Sequence, residues 1–439
     1  MNKFEFECTA CGNIVSSFRQ WFDAGQKCPK CGDLYSKTIY NTDVDYKSLL
    51  SEKCINNLWH YFNILPLNSR ENITTVGEGI SLIEKWKHME EIAKKYFNIR
   101  CEVMVLRNDN SPGTGSFKDL AGTVVSSVLK ENDIKDYVVA STGNIGSAFS
   151  KYLALNDISL YAFIPEDVPK SQEADIRSNG GIVYRVKGDY HFAKHMAKEF
   201  ALKNNFLLAA TGIDPTRVEA KKTMIYEIFR QLQREPSVYI QALSGGTGPI
   251  GIFKGTQELI DHGMVKKQPR LLLVQSNKCA PMADGYQNAK QNNFKGDWNK
   301  KYPVYENPDT LITTIATGNP TLYSYVSSIV KESNGDILSV DENFAKETSR
   351  LIALTQGVMI GPAAAIAVEG YFKSLKNKLI KNGDLVVINI GEGIKRSPDY
   401  LEQFAKDEVI ATIDDCKIKN INTIRENAIK EYMKTIKDL

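Results

Sequence analysis

From Tyr137 to Ile390, short apolar runs alternate with stretches of helical spacing, and several of the runs end in glycine-rich turns. Strands are expected over Arg100–Leu106, Tyr137–Ala140, Ser159–Ile164, Ile182–Val186, Phe206–Ala210, Val238–Leu243, Arg270–Gln275 and Asp384–Ile390. Helices are expected between them, at Lys118–Leu129, Ser147–Leu155, Val168–Ser178, from His191, and at Glu219–Gln233. This alternation predicts an α/β fold with parallel sheets. In such sheets ligands bind beyond the carboxyl ends of the strands. The loops after the strands at 137, 238 and 384 are all glycine-rich, which packing alone does not explain.

A fourth loop carries the chain's most reactive candidate. Ser111-Pro-Gly-Thr-Gly-Ser-Phe-Lys-Asp-Leu120 delivers Lys118 between Ser116 and Asp119, in a turn opened by Gly113 and Gly115. A helix beginning at about Ser116 would place the amine in the positive field of a helix N-terminus. That field lowers its pKa and favours the neutral nucleophile. A solvated lysine after a surface turn is the plainer reading.

Two of the strand-end loops read as binding loops. Ser244-Gly-Gly-Thr-Gly-Pro249 offers the N–H groups of Gly245, Gly246, Thr247 and Gly248 as a cradle for one phosphate. Gly246-Thr-Gly248-Pro-Ile-Gly251 also spells the dinucleotide pattern G-x-G-x-x-G, so a nucleotide-linked oxidoreductase competes. That pattern needs an acidic residue about twenty positions on. The next strand ends Leu273-Val-Gln-Ser-Asn277 with none. Ser141-Thr-Gly-Asn144 supplies hydroxyls, N–H groups and an amide, against a plainer reading as a helix N-cap. An amine, a phosphate cradle and an amide donor together describe a pyridoxal phosphate site.

The N-terminus reads Cys8-Thr-Ala-Cys11-Gly12 and Cys28-Pro-Lys-Cys31-Gly32, with 16 residues between the pairs. Four thiolates on two tight turns suit a tetrahedral structural zinc with no open position; disulfide pairing is the alternative. Cys8 and Cys11 belong to this motif, so no targeting leader is expected, and no apolar run is long enough to span a bilayer. The remaining cysteines are scattered, in keeping with a reducing cytoplasm. With 55 basic and 52 acidic residues, a net charge of +3 over 439 residues argues against nucleic-acid binding. Ile421–Leu439 has the spacing of an amphipathic helix, to pack on the body or on a partner subunit.

These elements resemble fold-type II pyridoxal-phosphate enzymes, and within them the threonine synthase group. The matching motifs are S-F-K-D at 116–119, S-T-G-N at 141–144, G-G-T-G at 245–248 and Asp214-Pro-Thr-Arg-Val-Glu219. Gly318-Asn-Pro320, Gly357–Ala364 and Gly391-Glu-Gly-Ile-Lys395 follow in the family's order. The resemblance implies a two-lobed, tryptophan synthase β-like architecture. Its expected parts are a zinc ribbon over 1–36, a large cofactor lobe over 37–125 and 230–400, a small α/β lobe over 126–229, and a helical extension over 401–439. Lys118 would be the Schiff-base lysine and general base, and Asn144 the partner of the cofactor's ring oxygen. Gly245, Gly246, Thr247 and Gly248 would hold its phosphate. Ser116, Ser141 and Thr142 would meet the amino-acid substrate. A homodimer is implied as well.

The chain departs from the group in places. Leu120 replaces an arginine, Gly77-Glu-Gly-Ile-Ser-Leu82 lacks the usual proline, and Ile390 stands where Thr or Ser would face the pyridine nitrogen. Asn389 or Glu392 is expected to take over that contact. The N-terminal cysteines, the Trp59 to Pro66 region and S-F-K-D-L also resemble cysteate synthase, which replaces the phosphate of O-phosphoserine with sulfite. Threonine synthase removes phosphate from O-phosphohomoserine and adds water. Loss of phosphate from an O-phospho amino acid is the shared expectation. A specialised β- or γ-replacement enzyme and a non-catalytic regulator that kept the fold are the other readings.

Overall fold

A computed structural model describes the chain except for residues 1, 52–55, 142, 167, 169, 189, 210, 211, 406–419 and 439. Thr142, Cys54, Cys416 and the ends of two expected elements, Ala210 and Leu439, therefore lie outside the described residues.

The chain begins with β1 (Phe4–Cys8), β2 (Ile14–Val15) and β3 (Ser36–Tyr40), an antiparallel sheet in the order β2-β1-β3. Phe4, Phe6 and Cys8 alternate inward along β1, and Phe6 packs on Phe18 and Trp21. Gly12 and Gly32 take φ +68° and +77°, and their N–H groups donate back to the carbonyls of Cys8 and Cys28. A glycine is needed at this left-handed position to close each turn around two cysteines. The sheet runs to Tyr40, past residue 36.

Next come β4 (Ile83–Lys85) and β5 (Glu102–Arg107), then β6 (Asp136–Ala140), β7 (Ser159–Pro165), β8 (Ile182–Val186) and β9 (Leu207–Leu208). The chain continues with β10 (Val238–Ala242), β11 (Arg270–Ser276), β12 (Asp336–Val340) and β13 (Leu385–Ile390). Two sheets result. One is six-stranded, ordered β12-β11-β10-β13-β5-β4, and parallel except for the antiparallel edge β4. The other is four-stranded and parallel, ordered β8-β7-β6-β9. The α/β class and the parallel pairing expected from the sequence are both present.

The edge strands β4 and β12 carry too little pattern to stand out in the sequence; β12 opens on a buried aspartate, Asp336, which receives Gln287 and Lys290. Two helix starts also differ. The helix expected from about Ser116 begins at Asp119, because the preceding residues are drawn into a bridge between Ser116 and Glu392. The helix expected from Glu219 begins at Pro215, where the Asp214 carboxylate accepts the Thr216 N–H at 2.9 Å and proline occupies the first turn. That earlier start puts Arg217 in the helix's first turn.

The C-terminal helix Ile421–Asp438 lies on the body through Ile429, Tyr432, Met433 and Ile436, and Tyr432 stacks edge-on against Phe372. Its first residue, Ile421, is exposed.

Candidate active site

β5, β6, β10 and β13 each feed a loop into one cavity, lined in part by Lys118, Ser141, Asn144, Gly245, Gly246, Thr247, Gly248, Asn389 and Glu392. Chain positions more than 250 residues apart thus meet at the carboxyl ends of parallel strands, as the topology requires.

The lysine loop is held from several sides. Asp119, fully buried, accepts from the Ser111 hydroxyl at 2.5 Å and from both the N–H and the hydroxyl of Thr114 at 2.7 Å. A Cβ on Gly113 would come within 2.5 Å of both the Asp119 carboxyl and the Tyr152 hydroxyl, so this position requires glycine. Gly115 takes φ +72°. Phe117 N–H donates to the Gly391 carbonyl at 3.0 Å, and Gly393 N–H to the Gly115 carbonyl at 3.1 Å. The lysine loop and the loop after β13 are therefore stitched together by backbone.

Lys118 Nζ lies 4.3 Å from the centre of the Phe117 ring, and Lys221 Nζ 4.0 Å from the same ring. The Lys118 pKa is lowered to about 8, first by burial and then by repulsion from Arg217, while Glu392 pulls it back up. Desolvation and the neighbouring guanidinium lead the causes, and Lys118, as the N-cap of the helix Asp119–Glu131, also stands at the helix N-terminus expected from the sequence. Lys118 makes no hydrogen bond or ion pair among the described residues.

The loop after β10 leads into the helix Thr247–Asp261, with Gly246 at its N-cap in the left-handed region, φ +94°. The N–H groups of Gly245, Gly246, Thr247 and Gly248 have no protein acceptor among the described residues, leaving the unpaired donors of a helix N-terminus facing the cavity. A Cβ at Gly248 would meet the Gln241 amide at 2.5 Å.

At the loop after β6, the Ser141 hydroxyl accepts the N–H groups of Gly143 and Gly146 at 3.2 and 3.1 Å, so it serves the turn in the way a capping residue does. Ser116 is fully buried beside Glu392 and is not among the cavity-lining residues. Asn144 is 6 % exposed; its Nδ2 donates to Glu392 Oε2, and its Oδ1 accepts from Arg396 Nε at 2.8 Å. Glu392 also accepts the Ala363 N–H at 3.1 Å, and burial raises its pKa.

Along β13 the side chains alternate. Ile390 joins Val386 and Ile388 in the apolar layer that also holds Ile366 and Val368 of the helix Pro362–Lys376, while Asn389 lines the cavity. Asn389 Oδ1 accepts from Asn108 Nδ2 at 2.8 Å, and Asn108 Oδ1 accepts from the Ser81 hydroxyl at 2.6 Å. Ile390 is thus a core residue, and the residue before it is the one presented to the site.

Sequence reasoning left Arg217 without a role. It lines the cavity, is 6 % exposed, and has no hydrogen bond or ion pair among the described residues; its guanidinium sits 5.6 Å from the Phe149 ring centre. The signal was present in Asp214-Pro215, a cap that sets the helix phase. Lys194 and Tyr190 line the same cavity.

Away from the cavity, the sulfurs of Cys8, Cys11, Cys28 and Cys31 all lie within 4.8 Å of one another. The Cys8–Cys31 and Cys11–Cys28 separations are 3.6 and 3.8 Å. A tetrahedral ion with metal–sulfur bonds of about 2.3 Å places its sulfurs about 3.8 Å apart, whereas a disulfide needs about 2.05 Å. The cluster can hold a metal ion. Among the described residues, no helix is long and apolar enough to cross a membrane.

Residues 89–391 match the family described as pyridoxal-phosphate dependent enzyme. A threonine synthase of Methanocaldococcus jannaschii is 26% identical over 418 residues, covering 90% of this chain and 98% of the relative. A cysteate synthase of Methanococcoides burtonii is 26% identical over 412 residues, covering 91% of this chain and 92% of the relative. Among solved structures, O-ureido-L-serine synthase superposes with a TM-score of 0.58 at 18% identity, covering 76% of this chain and 95% of that one, a likeness of fold.

Proposed function

This chain belongs to the pyridoxal-phosphate dependent enzymes, and on that premise we propose that it eliminates or replaces the phosphate of an O-phospho amino acid. The two forms of the reaction are those named by its relatives, O-phosphohomoserine to threonine and O-phosphoserine plus sulfite to cysteate. The carrying observation is that one cavity holds two separate anion-binding features beside a lysine whose pKa is lowered to about 8. One is the row of N–H groups at 245–248, the other the guanidinium of Arg217, neither with a hydrogen-bonding partner among the described residues.

The donor set fits the cofactor. Lys118 supplies an amine with no ion-pair partner among the described residues. The 245–248 loop supplies phosphate donors where a side chain on Gly248 would collide with Gln241. Asn144 supplies an amide donor for the ring oxygen, and Asn389 an amide for the ring nitrogen. Pyridoxal phosphate, when bound, contributes the electron withdrawal that acidifies the α-C–H bond of the amino acid.

The chain's own residues do the rest. Lys118, with its pKa lowered to about 8, takes the α-proton as general base and returns it. Arg217 holds the substrate's second anion, as a point of fixed positive charge in a desolvated wall. The Gly245–Gly248 donors keep the cofactor's phosphate in place. Four thiolates at Cys8, Cys11, Cys28 and Cys31 hold a structural zinc. The lobes follow the boundaries expected from the family, save that the N-terminal sheet runs to Tyr40, and the molecule works as a homodimer in the cytoplasm.

The deciding experiment incubates purified protein loaded with pyridoxal phosphate separately with O-phosphohomoserine and with O-phosphoserine plus sulfite, following phosphate release and product mass. Phosphate release with a threonine or cysteate product supports the reading. No release from either substrate by a loaded protein overturns it. Size-exclusion chromatography with light scattering tests the dimer, which predicts twice the chain mass.

A further inference from the structure

Arg396 makes three side-chain contacts beside the site, one of them to Asn144, which lines the cavity. It sits in the short turn Ile394–Arg396 after β13, part of the six-stranded sheet. Its side chain is 11 % exposed. Nε donates to Asn144 Oδ1 at 2.8 Å, Nη2 to the Ser147 hydroxyl at 2.8 Å, and Nη1 to Asp175 Oδ2 at 2.5 Å. Asn144 and Ser147 lie on the helix Asn144–Ala154, and Asp175 lies on the helix Lys170–Ser178. The strands next to these helices in the chain, β6, β7 and β8, belong to the four-stranded sheet. One guanidinium therefore joins a loop of the larger sheet to two helices of the smaller one.

We infer that Arg396 is a positioning residue for the cofactor edge of this site, fixing the orientation of the Asn144 amide and anchoring it to Asp175. A guanidinium has donors and no acceptor, so the Asn144 atom that meets it must be the oxygen. The amide nitrogen is thereby turned toward Glu392, where one N–H is taken by Oε2. The second N–H is left for an acceptor in the cavity. Glu392 is held in turn by the Ala363 N–H on its other oxygen.

Without Arg396 only Glu392 is left to distinguish the two ends of the amide. Rotation by a half turn would set Asn144 Oδ1 against the Glu392 carboxyl, an arrangement stable only when that carboxyl carries a proton. Burial already favours the protonated form, and Arg396 and Lys118 are among the groups that oppose it. Removing the guanidinium thus frees the amide and weakens the restraint on its neighbour together. A lysine at 396 restores one donor and the charge but not the three-way fork. The inference rests on the cofactor reading above.

The test titrates pyridoxal phosphate into the full-length protein and records affinity and the visible absorption maximum for wild type, Arg396→Met, Arg396→Lys and Asp175→Asn. We expect Arg396→Met to weaken cofactor binding about tenfold, ~1.4 kcal/mol, and to displace the absorption maximum. Arg396→Lys recovers part of both changes. Asp175→Asn, which removes the rim anchor without touching the cavity, moves the maximum in the same direction by less. Should Arg396→Met fail to fold, Asp175→Asn decides alone. Wild-type affinity and maximum in every variant that folds overturn the inference. A wild type with no visible band overturns the cofactor reading and this inference with it. A loaded wild type that releases no phosphate overturns the proposed reaction alone.

Discussion

Ser116 and Glu392 face one another in an antiparallel bridge, so the loop that presents Lys118 and the loop that presents the site's buried carboxyl form one unit. Phe117 and Gly393 extend the contact by one backbone hydrogen bond on either side. The lysine therefore takes its position both from the end of β13 and from the helix it caps, whose Ala121 and Gly122 N–H groups donate to its carbonyl at 3.0 Å.

Lys118→Ala should abolish turnover and the visible band of the loaded protein. In the wild type, cofactor capture requires the neutral amine. With the pKa lowered from 10.5 to about 8, the capture rate should rise with pH and reach half its maximum near pH 8. Stopped-flow absorbance at a series of pH values checks this. A midpoint near that of an ordinary lysine would refute the depressed pKa.

Replacing Arg217 with Gln should raise KM for the phospho substrate tenfold to a hundredfold, with a smaller effect on kcat. The estimate corresponds to the loss of one charge-assisted hydrogen bond, about 1.5–3 kcal/mol. The same change removes the charge that repels protonated Lys118, so the capture midpoint should move to higher pH. Initial rates and the capture titration measure the two effects independently.

Gly113→Ala forces a methyl group to within 2.5 Å of the Asp119 carboxyl and the Tyr152 hydroxyl. The loop must shift, at a cost of about 1–3 kcal/mol. A lower melting temperature and slower cofactor capture are expected. Unchanged values in both would mean that the Asp119 brace yields easily.

Purified protein should carry one zinc per chain, and Cys8→Ser should lose it. The N-terminal sheet then loosens, because its two turns are closed by the four thiolates. The disturbance should reach the helix Pro215–Leu232. Tyr40 on β3 donates to Glu219 at 2.8 Å, and Lys254, which pairs with Glu219, donates to the Thr38 carbonyl at 2.8 Å. Elemental analysis and thermal melting follow metal and stability together; full metal content in Cys8→Ser would rule out this ligand set.

By itself the sequence determined whatever is local. The alternation of short apolar runs and helices stated the fold class, because side-chain period reports burial directly. Lys118 in its glycine turn, the donors at 245–248 and the paired cysteines were legible for the same reason: each is a continuous stretch whose chemistry is complete within a few residues. The tertiary structure decided which side chains look into the cavity and what holds them. Asn389 faces inward and Ile390 outward because β13 lies between β10 and β5 in one register, and a strand turns alternate residues to opposite faces. Arg217 enters through the phase of a helix set by its Asp214 cap. Arg396 finds Asn144, Ser147 and Asp175 more than 200 positions away. Contacts at that separation leave no periodic trace in the chain, since they depend on how two sheets are brought end to end.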